Sequence, residues 1–132
     1  MWPPMVSGWP RAPWTRPSST SEAESSSGAP WWPFKIAEMA TQIEAARNMV
    51  YKSAWLLDKG MADTKLTAMA KLHACHVAVS VVDEALQLHG GYGYFNDYDI
   101  ERFYRAAKVL EIYEGTKEVE KIIISREILG KL

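Results

Sequence analysis

Every proline in this chain lies at or before Pro33, and none occurs from Lys35 to Leu132. Proline inside a helix removes a backbone donor and clashes with the preceding turn, so a long proline-free run is one in which helices continue unbroken. The glycines of that run, Gly60, Gly90, Gly91, Gly93, Gly115 and Gly130, fall where helices would end. This punctuation predicts an all-α chain: an incomplete antiparallel four-helix-type bundle over residues 34–132, preceded by a tail, 1–33.

The tail holds five of the six tryptophans and seven serines besides the prolines, with no sustained period of 2 or 3.6. Without an apolar period it cannot offset the entropy of ordering, and disorder is expected. Arg11, Arg16 and the scarcity of acids before Glu22 give it the composition of a weak organellar transit peptide. Prolines at positions 3, 4, 10, 13 and 17 oppose the amphipathic helix such a peptide needs, so a plain tail or a mis-set start is the expectation.

From Lys35 to Lys59, Ile36, Met39, Ala40, Ile43, Ala46, Val50, Tyr51, Ala54 and Leu57 recur at steps of three and four, the stripe of an amphipathic helix. Asp63 or Thr64 can cap a second helix whose stripe runs Leu66, Met69, Ala70, Ala74, Val77, Ala78, Val81, Ala85 and Leu88, stopping at Gly90-Gly91. Two long helices joined by so short a turn run antiparallel. An aromatic, acidic turn from Tyr92 to Asp99 precedes a short helix from about Tyr98 to Leu110. Glu111 to Gly115 then breaks the pattern. Thr116 can cap a fourth helix, with Glu118 and Glu120 at the positive end of its dipole and Ile122, Ile123, Ile128 and Leu129 expected to face inward. Two short helices cannot cover the broad alanine and valine faces of the long pair, so those faces are expected to meet another surface.

Composition excludes several classes of function. A net charge of −1 and a pI near 6.3 provide no basic field for nucleic acid or anionic lipid. The apolar run around Val77 to Val82 is broken by Ser80 and falls far short of the ~20 residues of a membrane span. The single cysteine, Cys75, rules out an intrachain disulfide and fits a reducing compartment. A cytoplasmic location follows, or the mitochondrial matrix in a eukaryote.

Few constellations can carry chemistry. Gly90-Gly91-Tyr92-Gly93 follows a helix and not a strand, which excludes a dinucleotide fingerprint, although glycine amides at such a turn can approach a phosphate closely. His73, Cys75 and His76 do not share one helix face, and no fourth ligand stands at zinc spacing. Glu114 lies on a glycine-containing break between helices, from which a carboxylate can reach out of a bundle toward a ligand. By spacing alone, a solvated loop residue beside a capping glycine explains Glu114 as well or better.

Four blocks settle how Glu114 is read: Ala85-Leu86-Gln87-Leu88-His89-Gly90-Gly91-Tyr92-Gly93-Tyr94, Ile100-Glu101-Arg102-Phe103-Tyr104-Arg105, Ile112-Tyr113-Glu114-Gly115-Thr116 and Ile123-Ile124-Ser125-Arg126-Glu127. In order and spacing they resemble the C-terminal helical domain of acyl-CoA dehydrogenases, and with Ile36 to Ala40 and Ile43 to Arg47 the resemblance covers about Phe34 to Leu132. It implies a flavoprotein oxidoreductase using FAD to oxidise the Cα–Cβ bond of an acyl-CoA thioester, as a homo-oligomer. Glu114 matches the base that removes the α-proton, with its backbone N–H as a donor to the thioester carbonyl. Gln87 and Gly91 match positions that contact the FAD of a neighbouring subunit, and Thr116 matches one that touches the FAD of its own. Ala106 stands where the family usually has Asp, and Glu118 where a glutamine is common.

The family's N-terminal helical domain, middle β-domain and first C-terminal helix have no counterpart in this sequence. The resemblance therefore implies a fragment of such an enzyme, inactive alone. A non-catalytic helical assembly module derived from the same domain is the alternative expectation.

Overall fold

The computed structural model describes residues 32–130, so the expectation of disorder over the tail lies outside the described residues for 1–31, while Trp32 and Pro33, the last two positions of that tail, are helical. Among them are four α-helices: α1 (Trp32–Asp58), α2 (Thr64–His89), α3 (Ile100–Leu110) and α4 (Lys117–Leu129), with short 3-10 turns at Gly90–Tyr94 and Asn96–Tyr98 between α2 and α3. The fold is all-α, as the punctuation predicts, and no described helix is long and apolar enough to cross a membrane.

Helix α1 begins three residues before Lys35 and takes Pro33 into its first turn, where a proline costs no hydrogen bond because the first four N–H groups of a helix have no partner within it. It ends in a turn that satisfies its last carbonyls from the far side: Gly60, at φ 69°, donates to Leu57 O at 3.0 Å, and Met61 donates to Leu56 O at 2.9 Å. Asp63 then caps α2, its side chain accepting from the Leu66 amide at 2.9 Å. The antiparallel alignment is visible in the pairing of Lys35 with Glu84 (3.3 Å) at one end and Ser53 with Thr67 (2.8 Å) at the other.

Helix α2 is the centre. It packs against α1, α3 and α4, none of which closely approaches another. Against α1 it builds a cluster of Met39, Ala46, Val77 and Val81, edged by Ile36, Ile43, Ala74 and Leu88. Against α3 it builds a second, of Val82, Ala85, Ile100 and Ala107, edged by Ala78, Val79, Leu86 and Tyr104. Small side chains on α2 let neighbouring backbones come close on several sides, which is why an alanine- and valine-rich helix serves as the hub.

Three expectations are corrected. Ile122, Ile128 and Leu129 are exposed, and of that set only Ile123 turns partly inward, together with Ile124 beside it, because α4 has a single helical neighbour and so buries a narrow stripe. The alanine and valine positions of the α2 stripe are also buried or half-buried and not uncovered as expected; on the long pair the exposed apolar side chains lie mostly on the second half of α1 and the turn after it, at Val50, Tyr51, Trp55, Leu57 and Met61, with Met69 on α2. Helix α3 starts at Ile100 and not near Tyr98. Asp99 occupies its cap position in a left-handed conformation (φ 58°), with no cap hydrogen bond from its side chain, which pairs with Arg102 at 3.2 Å instead.

Glu111 staples α3 to α4. It is buried, receives a hydrogen bond from Lys108 at 2.5 Å, lies 3.8 Å from Lys117, and its carbonyl accepts from the Lys117 amide at 3.3 Å. The Lys108 hydrogen bond outweighs desolvation and holds the Glu111 carboxyl below the usual carboxylate range, while the same bond holds the Lys108 ammonium above its own.

Two outcomes follow. A Cβ at Gly93 would stand 2.9 Å from both His89 Cβ and Leu86 O and 3.3 Å from Ile100 Cγ2, whereas one at Gly91 would meet nothing within 4 Å. Gly93→Ala should therefore cost about 1–3 kcal/mol by overpacking and Gly91→Ala no more than about 0.5 kcal/mol, read from urea midpoints. Because the folded-state pKa of Glu111 is depressed, its contribution is present above the unfolded carboxylate value and lost as pH falls through the folded one. Stability should fall on acidification below the ordinary glutamate range, and Glu111→Gln should flatten that fall; equal pH slopes in the two proteins would refute the assignment.

Candidate functional site

The segment between α3 and α4 is six residues long and carries Glu114 near its end. Leaving α3, the amides of Ile112 and Tyr113 both donate to Val109 O, at 3.0 and 3.1 Å, which tightens the exit into a turn. Glu114 then takes φ 54° and Gly115 φ 101°. A left-handed residue with a side chain costs about 1–2 kcal/mol, so the Glu114 conformation needs external support. At Gly115 a side chain would be strained by the φ, and its Cβ would displace the tip of Glu120, which favours glycine there. Thr116 closes the turn as the cap of α4, its hydroxyl accepting from the Val119 amide at 3.4 Å.

The support comes from below, from Lys71 of α2. Its ammonium donates to Leu110 O at 3.2 Å, to Tyr113 O at 3.0 Å and to Gly115 O. Three carbonyls of the turn thus converge on one cation, two of them flanking Glu114. Glu120 is the other charged group beneath the turn. It is buried in the first full turn of α4, with its carboxylate against Gly115. Cys75, one helical turn beyond Lys71, is buried there too, and burial pushes its thiol pKa up. The Glu114 side chain, by contrast, is exposed, with exposed Ile112 and Tyr113 beside it.

Gln87 and Gly91 lie elsewhere. Gln87 is exposed in the last turn of α2, and its carbonyl accepts the Gly90 amide that ends the helix; Gly91 is exposed in the following 3-10 turn. From Lys71 to Gln87 is sixteen positions of continuous helix, about 24 Å at 1.5 Å per residue. The four residues singled out from the sequence therefore form two groups along α2, Glu114 with Thr116 over its first third, beside Lys71, and Gln87 with Gly91 at its end. The His73, Cys75 and His76 cluster does not converge: His73 is half-buried, Cys75 buried and His76 exposed, and no group of three His, Cys, Asp or Glu side chains among the described residues could hold a metal ion.

Lys71 was not found from the sequence, although a signal existed. The α2 residues Ala68, Cys75 and Val82, seven apart, are all buried, and Lys71 falls within the same stripe. A lysine inside an apolar stripe must have a polar destination.

Comparison with known proteins agrees with this architecture. Residues 23–129 match the family model described as acyl-CoA dehydrogenase, C-terminal domain. The chain is 53% identical over 93 residues to the short-chain specific acyl-CoA dehydrogenase of Clostridium acetobutylicum, covering 70% of this chain and 24% of that one. It is 51% identical over 104 residues to the acryloyl-CoA reductase (NADH) of Anaerotignum propionicum, covering 79% of this chain and 26% of that one. Among solved structures, the butyryl-CoA dehydrogenase of Megasphaera elsdenii superposes with a TM-score of 0.73 at 42% identity, over 83% of this chain and 30% of that one. The chain spans about a quarter of the length of the curated relatives it matches. With the family model covering residues 23–129, most of its length, this chain belongs to the acyl-CoA dehydrogenase family, which it matches through the C-terminal domain.

Proposed function

We propose that this chain supplies the base-bearing wall of an active site that exchanges hydrogen across the Cα–Cβ bond of an acyl-CoA thioester with FAD as cofactor. The observation that carries the reading is Glu114, a carboxylate held in a left-handed turn, exposed, and anchored on both sides through neighbouring carbonyls. Its role is to take the α-proton, and its backbone N–H serves as a donor to the thioester carbonyl, favouring the charge that develops on that oxygen. Relatives are named both as dehydrogenases and as reductases, so the reading covers the reaction in either direction.

The residues present fit FAD. Open space around Gly91 lets a phosphate oxygen approach the backbone closely, Gln87 offers an exposed amide beside it, and Thr116 caps a helix N-terminus. When bound, FAD supplies the acceptor for the β-hydride. The separation of Gln87 and Gly91 from Thr116 along α2 supports a homo-oligomer in which the two groups face FAD molecules of different subunits. One chain contributes one wall. Alone it neither retains FAD nor turns over acyl-CoA, since proton removal needs base, α-carbon and hydride acceptor held at about 3–3.5 Å contacts.

A second reading, a helical assembly module without catalysis, is favoured by the exposed Tyr51, Trp55 and Leu57 on α1. One experiment separates the two. Residues 32–132 are joined to the remaining domains of a full-length relative, and flavin content and acyl-CoA turnover are measured. The catalytic reading expects a yellow, active enzyme in which Glu114→Gln lowers kcat by about 10²–10⁴-fold with flavin content unchanged. An active hybrid indifferent to Glu114→Gln would place the base elsewhere, and one without flavin would favour the assembly module.

A further inference from the structure

Lys71 pins the turn that carries Glu114, and its chemistry suits no other task in the fold. An ammonium has three hydrogens and no acceptor, and three backbone oxygens stand around this one: Leu110 O at 3.2 Å, Tyr113 O at 3.0 Å and Gly115 O. No carboxylate among the described residues forms an ion pair with it, so the full set of donors is directed at main chain. The Leu110 carbonyl ends α3 and has no partner within that helix, while those of Tyr113 and Gly115 bracket Glu114. Charge-assisted bonds of this kind are about twice as strong as neutral ones. Lysine also suits the geometry where arginine would not, since a compact tetrahedral head on a flexible stem can meet three oxygens from separate residues.

We propose that Lys71 is the positioning residue for the Glu114 turn. By fixing the peptide oxygens before and after Glu114 it sets the direction in which the carboxylate leaves the chain, and orients the Glu114 N–H. Lys71 touches neither substrate nor cofactor and acts only through the turn. The inference rests on Glu114 being the base, but the fixing of the turn can be measured without that assumption.

The test uses the full chain with ¹⁵N-labelled lysine. In the wild-type protein the Lys71 Nζ hydrogens, shared among three carbonyls, should exchange slowly enough with water to give a resolved ¹⁵Nζ signal, with cross-peaks to residues 110, 113 and 115. Absence of that signal overturns the proposal whatever any variant does. In Lys71→Met, amide exchange at Ile112, Tyr113 and Lys117 should quicken by about tenfold or more, the size of a lost charge-assisted bond, while protection in the α1–α2 core persists; Lys71→Arg should restore only part of it. Unchanged turn exchange in Lys71→Met would refute the role. In the hybrid enzyme, Lys71→Met should lower kcat with little change in KM. If the turn loosens in Lys71→Met while the hybrid remains indifferent to Glu114→Gln, the positioning of the turn stands and the assignment of Glu114 as base falls.

Discussion

Burial of α2 on three sides carries this fold. Because the bodies of α1, α3 and α4 each pack on α2 and not on one another, most of the core passes through one helix, and the Glu111 staple joins only the end of α3 to the start of α4. This explains the composition of α2, whose buried residues are Ala68, Ala70, Cys75, Val77, Val81, Val82 and Ala85. Short side chains at seven positions give three neighbours close approach without leaving voids. It also explains why the flanking helices keep much apolar surface in view: a helix with one neighbour buries one narrow stripe.

The same arrangement makes the site. α2 is one continuous helix of 26 residues and carries two regions well apart along it, a glycine turn at its end and, in its first third, a lysine that reaches into the α3–α4 connection. A turn holding a left-handed glutamate would relax if it were merely tethered at its ends. Lys71 from beneath, the Glu111 staple from Lys108 and Lys117, and the cap at Thr116 together over-determine it. Such preorganisation suits a group that must meet a carbon acid in one orientation.

The helices and most caps were legible in the sequence because they depend on local rules. Asp63 and Thr116 cap as expected, and Gly60 and Gly90 end helices with the positive φ that glycine permits. What was not legible depends on neighbours that spacing cannot count. Ile122, Ile128 and Leu129 carry an apolar signal, yet their exposure follows from α4 having one partner. Pro33 reads as a helix breaker, but in a first turn it is not. Glu114 was found through resemblance, and Lys71 was missed because a lysine on a helix reads as solvated surface until its three acceptors, some forty residues away in sequence, are seen.

The central claim is that the fold itself, before any ligand binds, holds Glu114 in a left-handed turn over α2. Backbone NMR of the full chain tests this most directly through the intraresidue HN–Hα distance at Glu114, which shortens when φ is positive. A single ordered conformation with positive φ at Glu114 and Gly115, and nuclear Overhauser contacts from Tyr113 and Gly115 to the Lys71 side chain, is the result expected. Averaged, coil-like values across residues 111–116 in a chain whose α1–α2 pair is fully formed would contradict it.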